Sequence, residues 1–356
     1  MTVSRNIRSM QFFLVAALVV FAATALAQQK QVDLLGNPDL KVFTLDIPGG
    51  TAAVPAGVSA SGEVVGTYTT LNGISAGFIR KLNGTIVTFS VPNSLDTMVT
   101  GVNDWGEVVG NYDFIDGGPD DGIYLQLGFR RSPDGTFTYV DGIGQLGYTQ
   151  GINNRGQVTG YYLSLELHWE GFLAQPGTDG VLTSFFADPT PGDGADPDTR
   201  AMAINASGVV VGYYADNPSD TDTKGFVRQP DGTITVFSAP KSLTTDPMSI
   251  NARGVIVGGG TNGAFLRQPD GKMVSLPTIA PIAISDNGEI AGSCPNSPCI
   301  LEPNGTLYKY TIPGSKSITP VAMNTRGEVV GYYDDAAGVT HGFLLTNKKF
   351  VEGHDL

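Results

Sequence analysis

Residues 201–240 read AMAINASGVVVGYYADNPSDTDTKGFVRQPDGTITVFSAP. Four short runs rich in Val, Ile, Phe, Tyr and Thr alternate with turn chemistry, and such residues suit a pleated, half-buried surface. Ala201–Asn205 is the first predicted strand, and Asn205-Ala-Ser-Gly208 turns the chain. Val209–Tyr214 is the second. A polar loop, Ala215–Lys224, leads to the third, Gly225–Gln229. Pro230-Asp231-Gly232 turns the chain again before Thr233–Ser238. Gly208 and Gly232 supply the positive φ that tight hairpin turns need. One sheet of four short strands cannot bury both of its faces. Here it does not have to, because the unit recurs.

Its anchor is a turn glycine followed four residues later by a second glycine. The turn glycines are Gly62, Gly106, Gly156, Gly208, Gly254, Gly288 and Gly327. Their partners are Gly66, Gly110, Gly160, Gly212, Gly258, Gly292 and Gly331. Successive turn glycines lie 34 to 52 residues apart around this fixed offset, which puts the insertions in loops. Asn103, Asn153, Asn205, Asn251 and Asn324 open five of the turns, and Ser59 and Ser285 the other two. Such side chains hold turns by bonding backbone groups two residues on.

Two further pieces recur. A small residue precedes Phe at Gly77-Phe78, Gly128-Phe129, Gly171-Phe172, Gly225-Phe226, Ala264-Phe265 and Gly342-Phe343, with Cys299-Ile300 taken as the equivalent in unit six. An Asn/Asp-Gly turn follows in six units, and five residues after its glycine comes Phe89, Val140, Phe185, Phe237, Leu276 or Tyr310. All of these read as core and turn chemistry. Unit seven ends without a good fourth strand, whereas Val42–Pro48 resembles a fourth strand with no unit before it. Pairing this orphan with unit seven would remove the exposed sheet edges. The expectation is an all-β, seven-bladed β-propeller of four-stranded antiparallel blades over 41–350, closed by its N-terminal strand. An open β-solenoid is the alternative.

Arg5 and Arg8 precede the apolar run Phe12–Ala23, and Ala25-Leu26-Ala27 has the form of a cleavage site. Residues 1–27 therefore read as a signal peptide, 28–40 as a lead and 351–356 as a tail. The mature chain is expected to be secreted or periplasmic, with no membrane insertion. Cleavage would take the formal charge from −13 to −15. A surface so acidic repels nucleic acid and anionic membranes. In an oxidising compartment Cys294 and Cys299, placed between two predicted antiparallel strands, are expected to form a local disulfide.

The pattern Ile-Asn-x-x-Gly-x-Val-Val-Gly-Tyr-Tyr, followed by Gly-Phe-Leu, resembles the bacterial extracellular HAF repeat family, named for a His-Ala-Phe triplet. Its nearest copy here is His341-Gly342-Phe343; Ala76, Leu127, Glu170 and Lys224 stand where other units would carry the His. The resemblance covers nearly all of the mature chain. It implies export and a repeat architecture, and no catalytic residue.

Both tight turns of each unit fall at one end of the sheet, and the variable connections at the other. Binding surfaces sit where loops vary on a rigid scaffold. Tyr68, Tyr112, Tyr162, Tyr214 and Tyr333 each follow a turn glycine by six residues, which places them near the loop end as candidate ligand-binding aromatics. Packing between blades is the competing account. Asp113, Asp116 and Asp120 in unit two's long connection, and Asp216, Asp220 and Asp222 in unit four's, are candidate Ca²⁺ ligands. None of these loops has the spaced D-x-D-x-D-G pattern with its distal Glu. The histidines, His168, His341 and His354, are too dispersed to propose a nucleophile with its base. The expected function is a non-catalytic binding or scaffold module for an extracellular protein, a peptide or a glycan. The alternative is a propeller hydrolase or lyase acting on polysaccharide, with loop-end carboxylates and His168 or His341.

Overall fold

A computed structural model describes residues 25–26, 31–33, 40–116, 122–140, 144–177, 182–187, 198–215 and 221–347. Among them every regular element is a strand. Most of the expected signal peptide and lead, the tail, and Asp120, Asp216 and Asp220 lie outside the described residues.

Unit four forms one antiparallel sheet of Asp198–Ile204, Val210–Ala215, Lys224–Arg228 and Ile234–Phe237, in that order. Units five and six form equivalent four-stranded sheets. Unit one does the same, with Ala25–Leu26 added at its outer edge. Units two and three share one eight-stranded sheet. In unit two the hairpin of Val108–Asp116 and Ile123–Arg131 is long enough to make a parallel bridge, Gln126 to Leu146, with the first strand of unit three. Asp113 and Asp116 therefore lie on a strand, and not in a loop as the sequence suggested.

In unit seven, Ser315–Met323, Val329–Asp335 and Thr340–Asn347 are consecutive strands, and the fourth place is taken by Leu40–Leu45. The pairing is antiparallel, from Leu40 with Asn347 to Leu45 with Gly342. The second strand of each unit packs on the first strand of the next, and Val329–Asp335 of unit seven packs on Gly50–Val58 of unit one. Each buried cluster is accordingly shared between neighbours. Leu173 and Ala187 of unit three, for example, pack with Ala201, Val210, Tyr214 and Phe226 of unit four.

Steric contact explains the second glycine of the motif. In all seven units the first strand carries a bulge, as between Ala201 and Ala203 in unit four. The bulge pushes a carbonyl against the second strand. A Cβ at Gly212 would lie 2.0 Å from Arg200 O, and the six equivalent glycines face the same carbonyl at 2.0 to 2.4 Å. No side chain fits there.

The same glycines fix the register of the third strand. Gly212 pairs with Phe226, Gly258 with Phe265 and Gly331 with Phe343. In unit six Gly292 pairs with Cys299. The equivalent of Gly-Phe is thus Pro298-Cys299, one residue earlier than the sequence alignment placed it. Cys299 is fully buried and bonded to Cys294 at 1.99 Å, so a disulfide sulfur occupies the slot that Phe fills elsewhere.

Phe89, Phe185 and Phe237 at the ends of fourth strands are half-buried, each roofed by an arginine of the next unit, whereas Tyr310 of unit six is buried. Arg131 lies 5.0 Å over Phe89, Arg228 5.0 Å over Phe185 and Arg267 4.8 Å over Phe237. These cation–π contacts cross from one unit to its neighbour.

Candidate functional site

At the turn end the asparagine that opens five of the seven tight turns does two jobs. Asn205 Oδ1 accepts from Ser207 N and Val209 N, which holds its own turn. Its Nδ2 donates to Asn251 O of the next unit at 3.1 Å. Asn103 donates likewise to Asn153 O, Asn153 to Asn205 O, and Asn251 to Ser285 O. Asn324 donates to Ser59 O. Ser59 and Ser285 have no amide to continue the relay. A second link runs from the residue after the turn opener: Ala60 N donates to Asp104 Oδ1 at 2.6 Å, Asp104 N to Asn154 Oδ1 and Ala252 N to Asp286 Oδ1.

The relay rings a cavity of about 310 Å³. Its floor is apolar: Val58, Val102, Ile152, Ile204, Ile250, Ile284 and Met323, one from each of the seven units. Its rim is polar and includes Asp104, Asn154, Asp286 and Thr325.

The five tyrosines occupy one register. Each faces, across the strand pair, the residue just before the small residue–Phe pair: Tyr68 and Ala76, Tyr112 and Leu127, Tyr162 and Glu170, Tyr214 and Lys224, Tyr333 and His341. Four of them are buried, Tyr112, Tyr162, Tyr214 and Tyr333, and Tyr68 packs half-buried against a core cluster. They pack in or against the clusters shared between neighbouring units, and none of the five is among the residues that line the 310 Å³ cavity at the turn end. Tyr162 donates to Glu170 Oε2 at 2.8 Å, and burial together with this bond pushes its hydroxyl up to about 12. Lys224 Nζ lies 5.6 Å over the Tyr214 ring. His341 stacks on Tyr333 at 5.1 Å. It also reaches Asp46 Oδ1 from Nδ1 at 2.6 Å and Asp335 Oδ2 from Nε2 at 3.5 Å.

The carboxylates scatter. Asp113 is buried, and its Oδ1 accepts from Gln126 Nε2, so it supports the long hairpin. Asp116 and Asp222 are exposed on different units. Among the described residues no three His, Cys, Asp or Glu side chains converge as metal ligands. His168 and His341 belong to units three and seven and do not meet.

The loop end instead carries a cavity of about 730 Å³ between units four and five. Arg200, Met202 and Tyr213 line it from unit four, and Asp246 and Met248 from unit five. Asp198, Thr221, Thr223, Thr244 and Thr261 are among its other lining residues. Arg200 is held by rings: its guanidinium carbon lies 5.7 Å from the Tyr161 centroid, 5.5 Å from Trp169 and 6.0 Å from Tyr213. Tyr148 extends the group by stacking on Tyr161 at 5.2 Å. Asp198 Oδ1 accepts from Trp169 N and Asp246 Oδ1 from Thr223 Oγ1, which ties each first strand to the unit before it.

Sequence reasoning chose the second tyrosine of each Tyr-Tyr pair. The one that reaches the cavity is the first, Tyr213. Strand alternation sends the two to opposite faces, but which face stays open depends on how the units lean together. Arg200 gave no signal, because it sits in a strand whose counterparts carry Met98, Tyr148 and Thr319.

No family model matches the chain, and no curated protein matches it. Among solved structures it is similar to a puromycin hydrolase, at 12% identity and a TM-score of 0.49, over 86% of this chain and 58% of that one. It thus spans less than two thirds of that hydrolase. It is also similar to a gluconolactonase from Xanthomonas campestris, at 13% identity and a TM-score of 0.43, over 92% and 96% of the two chains. A fucose-specific lectin from Aleuria aurantia shares 9% identity and a TM-score of 0.33, over 77% and 93%. At these values the likenesses carry no argument about ligand or activity.

Proposed function

We propose that the chain is a closed seven-bladed β-propeller of the HAF repeat kind, exported from the cell, which binds a neutral, hydroxyl-rich ligand, a glycan, at its loop end. Closure is supported by the pairing of Leu40–Leu45 with Thr340–Asn347 and by the bond from Asn324 to Ser59. Export is supported by the apolar N-terminal run and by the disulfide.

The observation that carries the ligand reading is the fixed Arg200 in the wall of the 730 Å³ cavity. Its side chain is ordered by aromatic faces before any ligand arrives, so binding loses little entropy there. Around it stand threonines, two carboxylates and the apolar surface of Met202, Met248 and Tyr213. Convergent donors and acceptors on an apolar wall suit hydroxyls and C–H faces together. Two carboxylates against one guanidinium disfavour an anionic ligand.

A binding screen of the mature chain against neutral glycans, peptides and surface proteins tests this. Retention of a neutral glycan is expected, weakened at least about tenfold by Arg200→Ala, a loss of about 1.4 kcal/mol. Binding of none of them, or binding indifferent to Arg200→Ala, overturns the reading. Asp198 and Asp246 facing one cavity favour a second reading, a polysaccharide hydrolase or lyase. Release of shorter chains by the wild type but not by Asp198→Asn or Asp246→Asn would select it.

A further inference from the structure

Trp105 stands at the third position of the unit-two turn, at the end of the molecule away from the loop-end cavity. Its side chain is 70% exposed. The fold does not ask for an aromatic there: the same position holds Ser61, Arg155, Ser207, Arg253, Asn287 and Arg326 in the other six turns. Nor is the ring loose. Nε1 donates to Asn154 O of unit three at 2.8 Å, and Trp105 N donates to Asn103 Oδ1 at 3.1 Å. The polar edge of the indole is therefore satisfied and its orientation set, while the ring stays open to solvent.

What stands beside it is polar. Asp104 N donates to Asn154 Oδ1 at 2.9 Å, and Asn154 Nδ2 donates to Asp104 Oδ2 at 2.6 Å. Both residues lie on the rim of the 310 Å³ cavity ringed by the seven turns. A surface built to dock protein would continue the apolar patch beyond the Trp. Here the hydrogen-bonded neighbours are Asn103, Asp104 and Asn154.

We propose that Trp105 is the stacking platform of a second saccharide site, in which a neutral pyranose lies on the indole with its hydroxyls toward Asp104 and Asn154. The ring face of an aromatic carries partial negative charge and attracts the C–H side of a sugar. Carboxylate and amide oxygens at the rim accept from hydroxyls. A single aromatic makes no cage for a quaternary ammonium; each Asp104 oxygen accepts one hydrogen bond, from Ala60 N or Asn154 Nδ2, and keeps a lone pair for a sugar hydroxyl.

The chain has two tryptophans, Trp105 and Trp169, one at each end. Emission therefore reports which end binds. In Trp169→Phe the signal comes from Trp105 alone, and in Trp105→Phe from Trp169 alone. The probes are glucose, mannose, galactose and N-acetylglucosamine and their β-linked trisaccharides, with tetramethylammonium as the cation control. A saturable change in the Trp169→Phe protein with at least one sugar is expected. Loss of one calorimetric binding site in full-length Trp105→Ala should accompany it. If that variant fails to fold, the emission titration of Trp169→Phe still decides. No response from Trp105 to any of the sugars, or a response to tetramethylammonium alone, overturns the site. A response from Trp169 only would sink this site and leave the loop-end reading standing; silence from both would sink both.

Discussion

Asn324 Nδ2 donates to Ser59 O at 2.8 Å across 265 residues of chain. The bond joins the last tight turn to the first, and it continues the relay that links one unit to the next. The acceptor is a backbone carbonyl, so only the donor side depends on sequence.

Replacing that donor without disturbing the turn isolates the relay. Asn324→Asp keeps Oδ1 for Arg326 N and Glu328 N and removes the amide. It also sets a carboxylate against Glu328, whose Oε2 now accepts from Asn324 Nδ2 at 2.6 Å. A loss of about 1–3 kcal/mol is expected, since a buried carbonyl loses its partner. Asn205→Asp removes the equivalent bond to Asn251 O and should cost about 1 kcal/mol. Urea midpoints check both.

Gly212→Ala should be far more damaging. The added Cβ would meet Arg200 O at 2.0 Å, a backbone atom that moves only if the bulge is lost. Overpacking of this kind costs about 3 kcal/mol or more. Gly259→Ala, with nothing within 4 Å and no positive φ, should change the midpoint little. Equal effects would mean that the bulge is not rigid.

Reduction of Cys294–Cys299 should lower Tm although the closed loop is short. Cys299 fills a core position equivalent to Phe226, and Cys294 is 8% exposed. A loss of about 2 kcal/mol is expected. An unchanged Tm in reductant would refute the role.

His341 makes the seam between residues near the two chain ends sensitive to pH. Its burial disfavours the charged form, but Asp46 and Asp335 outweigh it, and the net shift is upward. A raised folded value means stability fully present below the unfolded value of about 6.5 and lost as pH rises through the folded one. Wild type should therefore exceed His341→Gln in Tm at about pH 5.5 and lose that advantage by about pH 9. A difference independent of pH would leave only the stacking on Tyr333.

Glu289 works in the opposite chemical sense. Burial, only partly offset by the bond from Ser285, raises it to about 7. It lies under the unit-seven turn, where a Cβ on Gly327 would touch its Oε2. The folded state then holds the proton longer than the unfolded one, so stability falls between about pH 4.5 and 7. Glu289→Gln should flatten that slope and gain on the order of 1 kcal/mol at pH 8, after allowing for partial hydration. Parallel stability curves for the two proteins would contradict it.

The repeat was legible because its constraints are local. A tight turn needs its glycine, a bulge leaves no room for a side chain opposite, and strand alternation repeats every second residue, so the same letters return in every unit. The strand-and-turn repeat, the pairing of an N-terminal strand with unit seven and the disulfide pair could all be read from the chain. One slip, Cys299 for the small residue instead of the Phe, came from aligning letters where cross-strand register decides. The proposed ligand surfaces were not legible. Tyr213 and Tyr214 differ only in which face they point to, and Arg200 and Trp105 break the pattern of their units without any motif of their own. Burial, exposure and the cavity walls arise from how neighbouring sheets pack, between residues dozens of positions apart, and no local rule encodes that.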